Sequence, residues 1–300
     1  MMNKKHETIS RRHFLGAAAV GTTAFALVGR NTIHAATDLH EYGPTLQDRL
    51  WMWGHETETI QGHSNIPKGS TIGQADAIKA MGIPNNHVVH YLGKPDYPFD
   101  EFIKQFRNTK RVTWNLTGGD QDPHELKKQR AFELIDKMPN LVGFSLDDFF
   151  NKSYRLTVDQ LRELRKELDD MPRKLNLSVV FYTFELELKS EIKDHFDYID
   201  DVLLWTWHAT DLVKLEENFK KYRNIVPNKP TWLGIYMWDF GNGKPITMEL
   251  MKLQLDFALE KFKQGEIEGM IFHCTPLVNL DLEAVKYSKK WIAEHANVGW

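Results

Sequence analysis

The chain holds one cysteine, Cys274, no low-complexity tract and no cluster of Lys and Arg. A lone cysteine excludes an internal disulfide scaffold. With no basic patch and a net charge of −3 there is nothing to neutralise a phosphate backbone, which sets nucleic acid aside as a partner. The apolar stretch from Phe14 to Val28 falls short of the roughly 20 residues that span a bilayer, and its Gly and Thr weaken it further. What remains is ordinary for a globular chain, 42% hydrophobic and 26% charged over 300 residues, which excludes intrinsic disorder and a fibre and leaves ample length for a core. The unusual figure is the aromatic content of 12%, nine of those residues being Trp.

The first residues form a unit of their own. Lys4 and Lys5 precede Ser10-Arg11-Arg12-His13-Phe14-Leu15, then come the Ala- and Gly-rich stretch to Val28 and the small residues Ala35 and Ala36. This order resembles a twin-arginine export signal with a cleavage point near Ala35 or Ala36. The competing reading is a membrane anchor, which the short apolar segment disfavours. Export implies a periplasmic or extracellular protein with no stable membrane span after cleavage. Removing residues 1–36 takes away Lys4, Lys5, Arg11, Arg12 and Arg30 but only Glu7, so the net charge of −3 becomes −7 in a mature chain of residues 37–300.

Beyond residue 48, short apolar runs alternate with amphipathic stretches at a spacing near 30 residues, the rhythm of βα units. Strands are predicted at Leu50 to Gly54, His87 to Leu92, Arg111 to Leu116, Leu141 to Leu146, Leu175 to Phe184, Val202 to Trp207, Thr231 to Trp238 and Gly269 to Cys274. Between them the spacing predicts helices. Asp122-Pro123-His124-Glu125 reads as an N-cap with proline at the first helical position, Thr157 with Gln160 as a capping box, and Thr247 as the cap of a helix after the seventh strand. Met251, Leu255, Ala258, Leu259 and Phe262 share one helical face, as do Leu161, Leu164 and Leu168. Eight near-continuously apolar strands, each followed by a helix, predict an α/β fold of one domain, a single (β/α)8 TIM barrel. An open doubly wound sheet is the alternative, but no Gly-x-Gly-x-x-Gly follows the first strand and no Walker motif occurs.

Function in such a barrel collects at the carboxyl ends of the strands. There the chain offers His55-Glu56, His90, Asn115, Asp147-Asp148, Glu185 with Glu187, His208, Asp239 and His273, strand by strand. Gly143-Phe144-Ser145-Leu146-Asp147-Asp148-Phe149-Phe150 puts two adjacent carboxylates among aromatics directly after a buried strand. Like-charge crowding and partial burial raise one pKa and leave the other acid ionised, the division of labour that glycosidic bond cleavage requires. The plainer alternative is that one Asp caps a turn and the other is solvated. Asp147 or Asp148 is expected as nucleophile or base, Glu185 as general acid, and Asp239 as a second acid or oxocarbenium stabiliser.

Alternate residues of a strand share a face, so Trp51 with Trp53, and Trp205 with Trp207, each set two indoles on one side. Some of these must be core. Near the mouth, an indole face is an apolar platform for the C–H face of a sugar. The run Tyr236-Met237-Trp238-Asp239-Phe240-Gly241-Asn242-Gly243 then leaves strand seven as an aromatic, Gly-rich loop of the kind that shapes a pocket, or as a plain turn. Expected substrate contacts are His55, Asn115, Trp205, Trp207, His208, Tyr236, Trp238 and His273.

The histidines also open a different chemistry. His55, His90, His208 and His273 converging with Asp147 or Asp239 would make a divalent metal site, although no His-x-His ends strand one and strand eight ends in His273-Cys274-Thr275.

The strand-end acids resemble those of the α-amylase superfamily, whose nucleophile Asp ends strand four in a Gly-Phe-Arg-x-Asp segment, whose acid/base Glu ends strand five and whose stabilising Asp ends strand seven. Gly143-Phe144-Ser145-Leu146-Asp147, Glu185 and Asp239 match by position. Ser145 stands where that family has arginine, and its Asn-His-Asp on strand seven does not occur. The strand-four segment is also similar to the Asp-x-x-Asp-x-Asp-x-Glu motif of chitinases, with Phe150 nearest the place of the final Glu. The resemblance implies a TIM-barrel glycoside hydrolase acting on a carbohydrate or glycoside, with no cofactor required and a divalent metal left open. The rivals are a metal-dependent sugar isomerase, epimerase or lyase, and a non-catalytic glycan-binding barrel. The helix reaching Trp291 and the apolar Val298-Gly299-Trp300 end could dock on the barrel or on a second subunit, and the oligomeric state is left open.

Overall fold

The computed structural model describes residues 39–118 and 122–299; the export-signal reading falls outside them. Eight parallel strands close into a barrel in sequence order: β1 (Leu50–Gly54), β2 (Asn85–Val88), β3 (Arg111–Thr117), β4 (Leu141–Leu146), β5 (Asn176–Tyr182), β6 (Asp201–Trp205), β7 (Thr231–Tyr236) and β8 (Gly269–His273), with β8 pairing back onto β1. Helices between the strands cover the outside, and the (β/α)8 expectation holds. Among the described residues, no helix is long and apolar enough to cross a membrane.

Local chemistry sets most of the boundaries. The helix Val158–Asp169 starts at the Thr157 capping box, its hydroxyl accepting from the Gln160 N–H while the Gln160 side chain accepts from the Thr157 N–H, and it buries Leu161, Leu164 and Leu168. The helix Met248–Lys263 starts at Thr247 and buries Met251, Leu255, Ala258, Leu259 and Phe262. Asp122 is not the cap expected of it. Pro123 takes that position without a side-chain cap bond, and Asp122 instead pairs with Arg130 at 2.8 Å.

The second strand begins two residues before the predicted His87. Asn85 and Asn86 lie outside the predicted strand, yet both belong to β2 and are fully buried. Asn85 Nδ2 donates to the Leu50 carbonyl at 2.8 Å and Asn86 Nδ2 to Gln74 Oε1 at 2.9 Å, so long-range partners replace the water that a turn would supply. After Val88 the chain leaves the sheet.

The two ends of the barrel differ. At the amino end Tyr42 lies under the guanidinium of Arg111, 4.2 Å from ring centre to Cζ, and its ring centre is 4.9 Å from that of Trp232. Contacts to residues of β3 and β7 at once place Tyr42 as a plug across that end. Above it the interior is aromatic. Trp53 on β1 meets Trp205 on β6 at 5.6 Å, and because those strands are not neighbours the contact crosses the barrel. Trp205 fits because its neighbour on β7 is Gly234: a Cβ there would lie 1.9 Å from the indole. Gly234→Ala should therefore displace Trp205, lowering stability in urea unfolding by about 1–3 kcal/mol and shifting tryptophan fluorescence. Unchanged fluorescence and stability would mean that the indole has room to spare.

Candidate active site

The open end of the barrel holds a cavity of about 110 Å³ lined by Trp53, His55, Asp147, Tyr182, Trp205, Tyr236 and His273 at the strand ends, and by Asp148, Trp207, Phe240, Tyr91, His63 and Ile60 from the loops. It is placed by strand alternation. Trp53 on β1 and His55 just past it are two apart, as are Trp205 at the end of β6 and Trp207 beyond it, and Asp147 lies two beyond Ser145 of β4. Thr275 locks His55 beside His273, its hydroxyl accepting from the His55 N–H at 3.0 Å and donating to the His55 carbonyl at 2.8 Å.

Asp147 and Asp148 form the acidic wall. Burial, and then the charge of Asp148, hold the Asp147 carboxyl well above the usual range, with Lys127 and the Asp148 N–H pulling the other way. That N–H donates to Asp147 Oδ1 at 3.0 Å, and the Thr117 hydroxyl holds the Asp147 carbonyl at 2.7 Å. Gly118, at φ +86°, passes so near that a Cβ would sit 3.1 Å from the Asp147 Cβ. Asp148 is also raised by burial, but the Tyr182 hydroxyl donates to its Oδ1 at 2.9 Å and opposes the rise. Asp148 is thus the more readily ionised of the pair. Its φ of +50° turns its side chain to face both the cavity and an adjoining groove.

Glu185 lines that groove, with Asp148, Phe184, Trp207 and His208. It is buried, and burial pushes its carboxyl up to about 7, against the pull of the Tyr182 N–H, which donates to Oε2 at 2.8 Å. One tyrosine therefore serves two acids, its N–H on Glu185 and its hydroxyl on Asp148. Sequence alone does not single out Tyr182, because it ends an apolar strand run; nor does it single out His63, Ile60 or Tyr91, which loops bring in, whereas Phe240 comes from the aromatic run after strand seven.

Asp147, Asp148, His55, Trp205, Trp207, Tyr236 and His273 meet in the cavity, and Glu185 and His208 in the groove. Three expected residues do not join them. Asp239 is buried with its carboxylate tying its own loop to the segment after β6, accepting from the Ala209 N–H at 3.2 Å and from Asn242 Nδ2 at 2.9 Å. Trp238 donates its indole N–H to the Ser64 carbonyl at 3.0 Å. Asn115 accepts the His90 N–H at 2.6 Å and donates to the Thr117 carbonyl at 2.8 Å, tying β3 to the chain after β2. Trp51 lies deeper, against His87 and Trp232 rather than at the mouth.

The four histidines do not converge either. His55 and His273 face each other at 5.5 Å, His208 lies in the groove and His90 packs on Phe99. Among the described residues, no three or more His, Cys, Asp and Glu side chains gather closely enough to hold a metal ion. Burial drives the His55 ring down to about 3 and the His273 ring well below its ordinary value, so both are neutral near pH 7.

The raised Glu185 carboxyl has a stability signature. A carboxyl whose folded pKa exceeds its unfolded value binds its proton more tightly in the native state, so its contribution is lost as pH rises from about 4.5 to about 7. Glu185→Gln keeps an oxygen for the Tyr182 N–H and removes that loss. Across this window the variant should gain stability relative to the parent chain in pH-resolved urea unfolding, and a constant difference would mean that Glu185 titrates as an ordinary surface acid.

No family model and no curated protein matches this chain. Among solved structures it is similar to the catalytic domain of a chitinase from Pyrococcus furiosus, at 14% identity and a TM-score of 0.56, over 86% of this chain and 99% of that one. It is also similar to an alpha-L-arabinofuranosidase from Thermotoga maritima, at 12% identity and 0.54, over 86% and 72%. A family 18 chitinase from Crocus vernus matches at 11% and 0.51, over 82% and 98%. These neighbours are TIM-barrel glycoside hydrolases, and at such identities the likeness is one of fold.

Proposed function

We propose that this barrel is a carbohydrate-active enzyme that hydrolyses a glycosidic bond at the Asp148–Tyr182–Glu185 junction. The observation that carries this reading is the pair of adjacent carboxylates set in an aromatic cavity, with a third, raised acid on the far side of Tyr182. Indole and phenol faces suit sugar C–H faces, and carboxyls in two protonation states suit acid and base work.

Roles follow from the electrostatics. Glu185, half protonated near neutral pH, donates the proton to the leaving oxygen as the bond breaks. Asp148, kept the more readily ionised by the Tyr182 hydroxyl, attacks the anomeric carbon or draws the proton from an attacking water. Asp147, its carboxyl raised by burial and by the charge of Asp148, faces the glycosyl unit in the cavity. Trp205, Trp207, Tyr236, His55, His208 and His273 hold the substrate. Asp239, with its oxygens engaged, supports the strand-seven loop instead. No step draws on a cofactor. Residues 1–36 are proposed as a twin-arginine leader, residues 37–300 as the catalytic domain and the periplasm or exterior as its place. Mass spectrometry of the chain recovered outside the cytoplasm should then find an N-terminus near residue 36, and recovery only from the cytoplasm with Met1 retained would remove the export reading.

Asp148→Asn and Glu185→Gln should each lower glycoside turnover by about 10²- to 10⁴-fold with circular dichroism unchanged, the range expected for losing one acid–base partner. Tyr182→Phe should move the acid limb of the rate profile upward, because removing the hydroxyl raises the Asp148 carboxyl. Chelator should leave the rate alone. Glycan binding with no turnover in the parent chain would make this a binding barrel, and turnover abolished by chelator would favour the metal-dependent rival.

A further inference from the structure

The cavity has a second wall that the acid chemistry does not use. His55 and His273 are 6% and 7% exposed, and both line the cavity. Nδ1 of each ring is sealed from solvent without a hydrogen-bond partner, which leaves Nε2 as the nitrogen turned to the open space. A buried N–H without an acceptor is rarer and costlier than a buried lone pair without a donor. The proton of each neutral ring therefore belongs on Nε2, and the wall presents two N–H donors from rings 5.5 Å apart. Opposite stand the two aspartates. Among the described residues, no lysine or arginine lines the cavity, and His63 is the one further titratable cation precursor there.

The cavity adjoins the groove. Asp148, Tyr182 and Trp207 belong both to it and to the groove, where Phe184, 58% exposed, stacks on Tyr182 at 4.9 Å and 9°. An exposed phenyl lying parallel to a buried phenol extends the aromatic surface outward from the acids.

Resting on the glycosidase reading above, we propose that the cavity takes one terminal, uncharged glycosyl unit whose neighbouring hydroxyls accept from Nε2–H of His55 and His273, while the leaving group lies over Phe184. The enzyme then acts from chain ends on neutral glycans. Uronate, sulfated and phosphorylated units are refused, because an anion here would add its charge to the Asp147–Asp148 pair, where burial and the Asp148 charge already disfavour ionisation of Asp147, and no Lys or Arg among the described residues lines the cavity to offset it. A neutral hydroxyl satisfies both donors at no such cost.

The test is a calorimetric titration of the mature chain with glucose, galactose, mannose, xylose, fucose and N-acetylglucosamine, set against glucuronate and galacturonate. At least one neutral sugar should bind, and the uronates should bind at least tenfold more weakly. His55→Phe and His273→Phe should each weaken the neutral sugar about tenfold, the loss of one hydrogen bond to a neutral group. His273→Gln, which keeps an N–H near the place of Nε2, should recover part of it; thermal melts confirm that each variant is folded. A uronate binding as tightly as the neutral sugars would overturn the proposal, as would Phe variants with parental affinity or oligosaccharide products released from chain interiors. Failure of the glycosidase reading looks different: neutral sugars bind and the His variants lose affinity, but no glycoside is cleaved. Cleavage of uronate-terminated substrates would sink the inference and leave hydrolysis standing.

Discussion

A closed barrel has one interior, and the alternate residues of eight strands must fill it without a void. Everything at the mouth descends from how that filling is done here. Small β-branched side chains would have left a level floor, whereas Trp51, Trp53, Trp205 and Trp232 stack upward from the Tyr42 plug. Gly234 gives Trp205 its space, so a glycine in the middle of β7 helps fix the floor of the cavity two turns of the pleat away from any reacting group. The cavity walls are the next inward positions of the same columns: His55 above Trp53, Tyr236 above Gly234, Asp147 above Ser145, Tyr182 above Val180. Core and site are one continuous packing.

That continuity explains the electrostatics. Asp147 and Asp148, which cap an aromatic floor, lose water on the inner side, and their carboxyls rise accordingly. Histidines under the same burial fall. The two groups pull the pH dependence of stability in opposite directions: raised carboxyls favour the fold at low pH, and depressed imidazoles favour it above their unfolded value near 6.5.

The strands were legible because burial on both faces leaves an unmistakable apolar run; parity along those runs paired Trp51 with Trp53 and Trp205 with Trp207, of which Trp53, Trp205 and Trp207 line the cavity while Trp51 lies deeper. Where the reading failed, hydrogen bonds between distant segments had taken over. Asn85 and Asn86 fall outside the predicted apolar run, yet they enter the strand because Leu50 and Gln74 accept from their side chains. Asp239 looks like a strand-end acid until Asn242 and Ala209 claim its oxygens, and Asn115 and Trp238 are spent in the same manner on His90 and Ser64. Tyr182 erred the other way: its apolar context hides a hydroxyl that meets Asp148. Residue type and position announce a polar group at a strand end, but whether it is free for chemistry depends on loops whose approach has no periodic signature.

The turn at Asp148 shows what that distinction is worth. With ordinary β geometry, consecutive carboxylates would point to opposite faces, Asp147 into the barrel and Asp148 toward the helices. A positive φ, tolerated by Asp better than by most residues, redirects the chain so that Asp148 returns to the mouth beside its neighbour. There it borders both the cavity and the groove, with the Tyr182 hydroxyl fixing one oxygen and Glu185 held by the same residue's N–H. Two adjacent acids that would otherwise share one environment are thereby given two. One is enclosed against the aromatic floor, and the other stands at the threshold that a substrate spanning both spaces would have to cross. A local backbone departure at a single residue converts a repeat of like charge into a directional site.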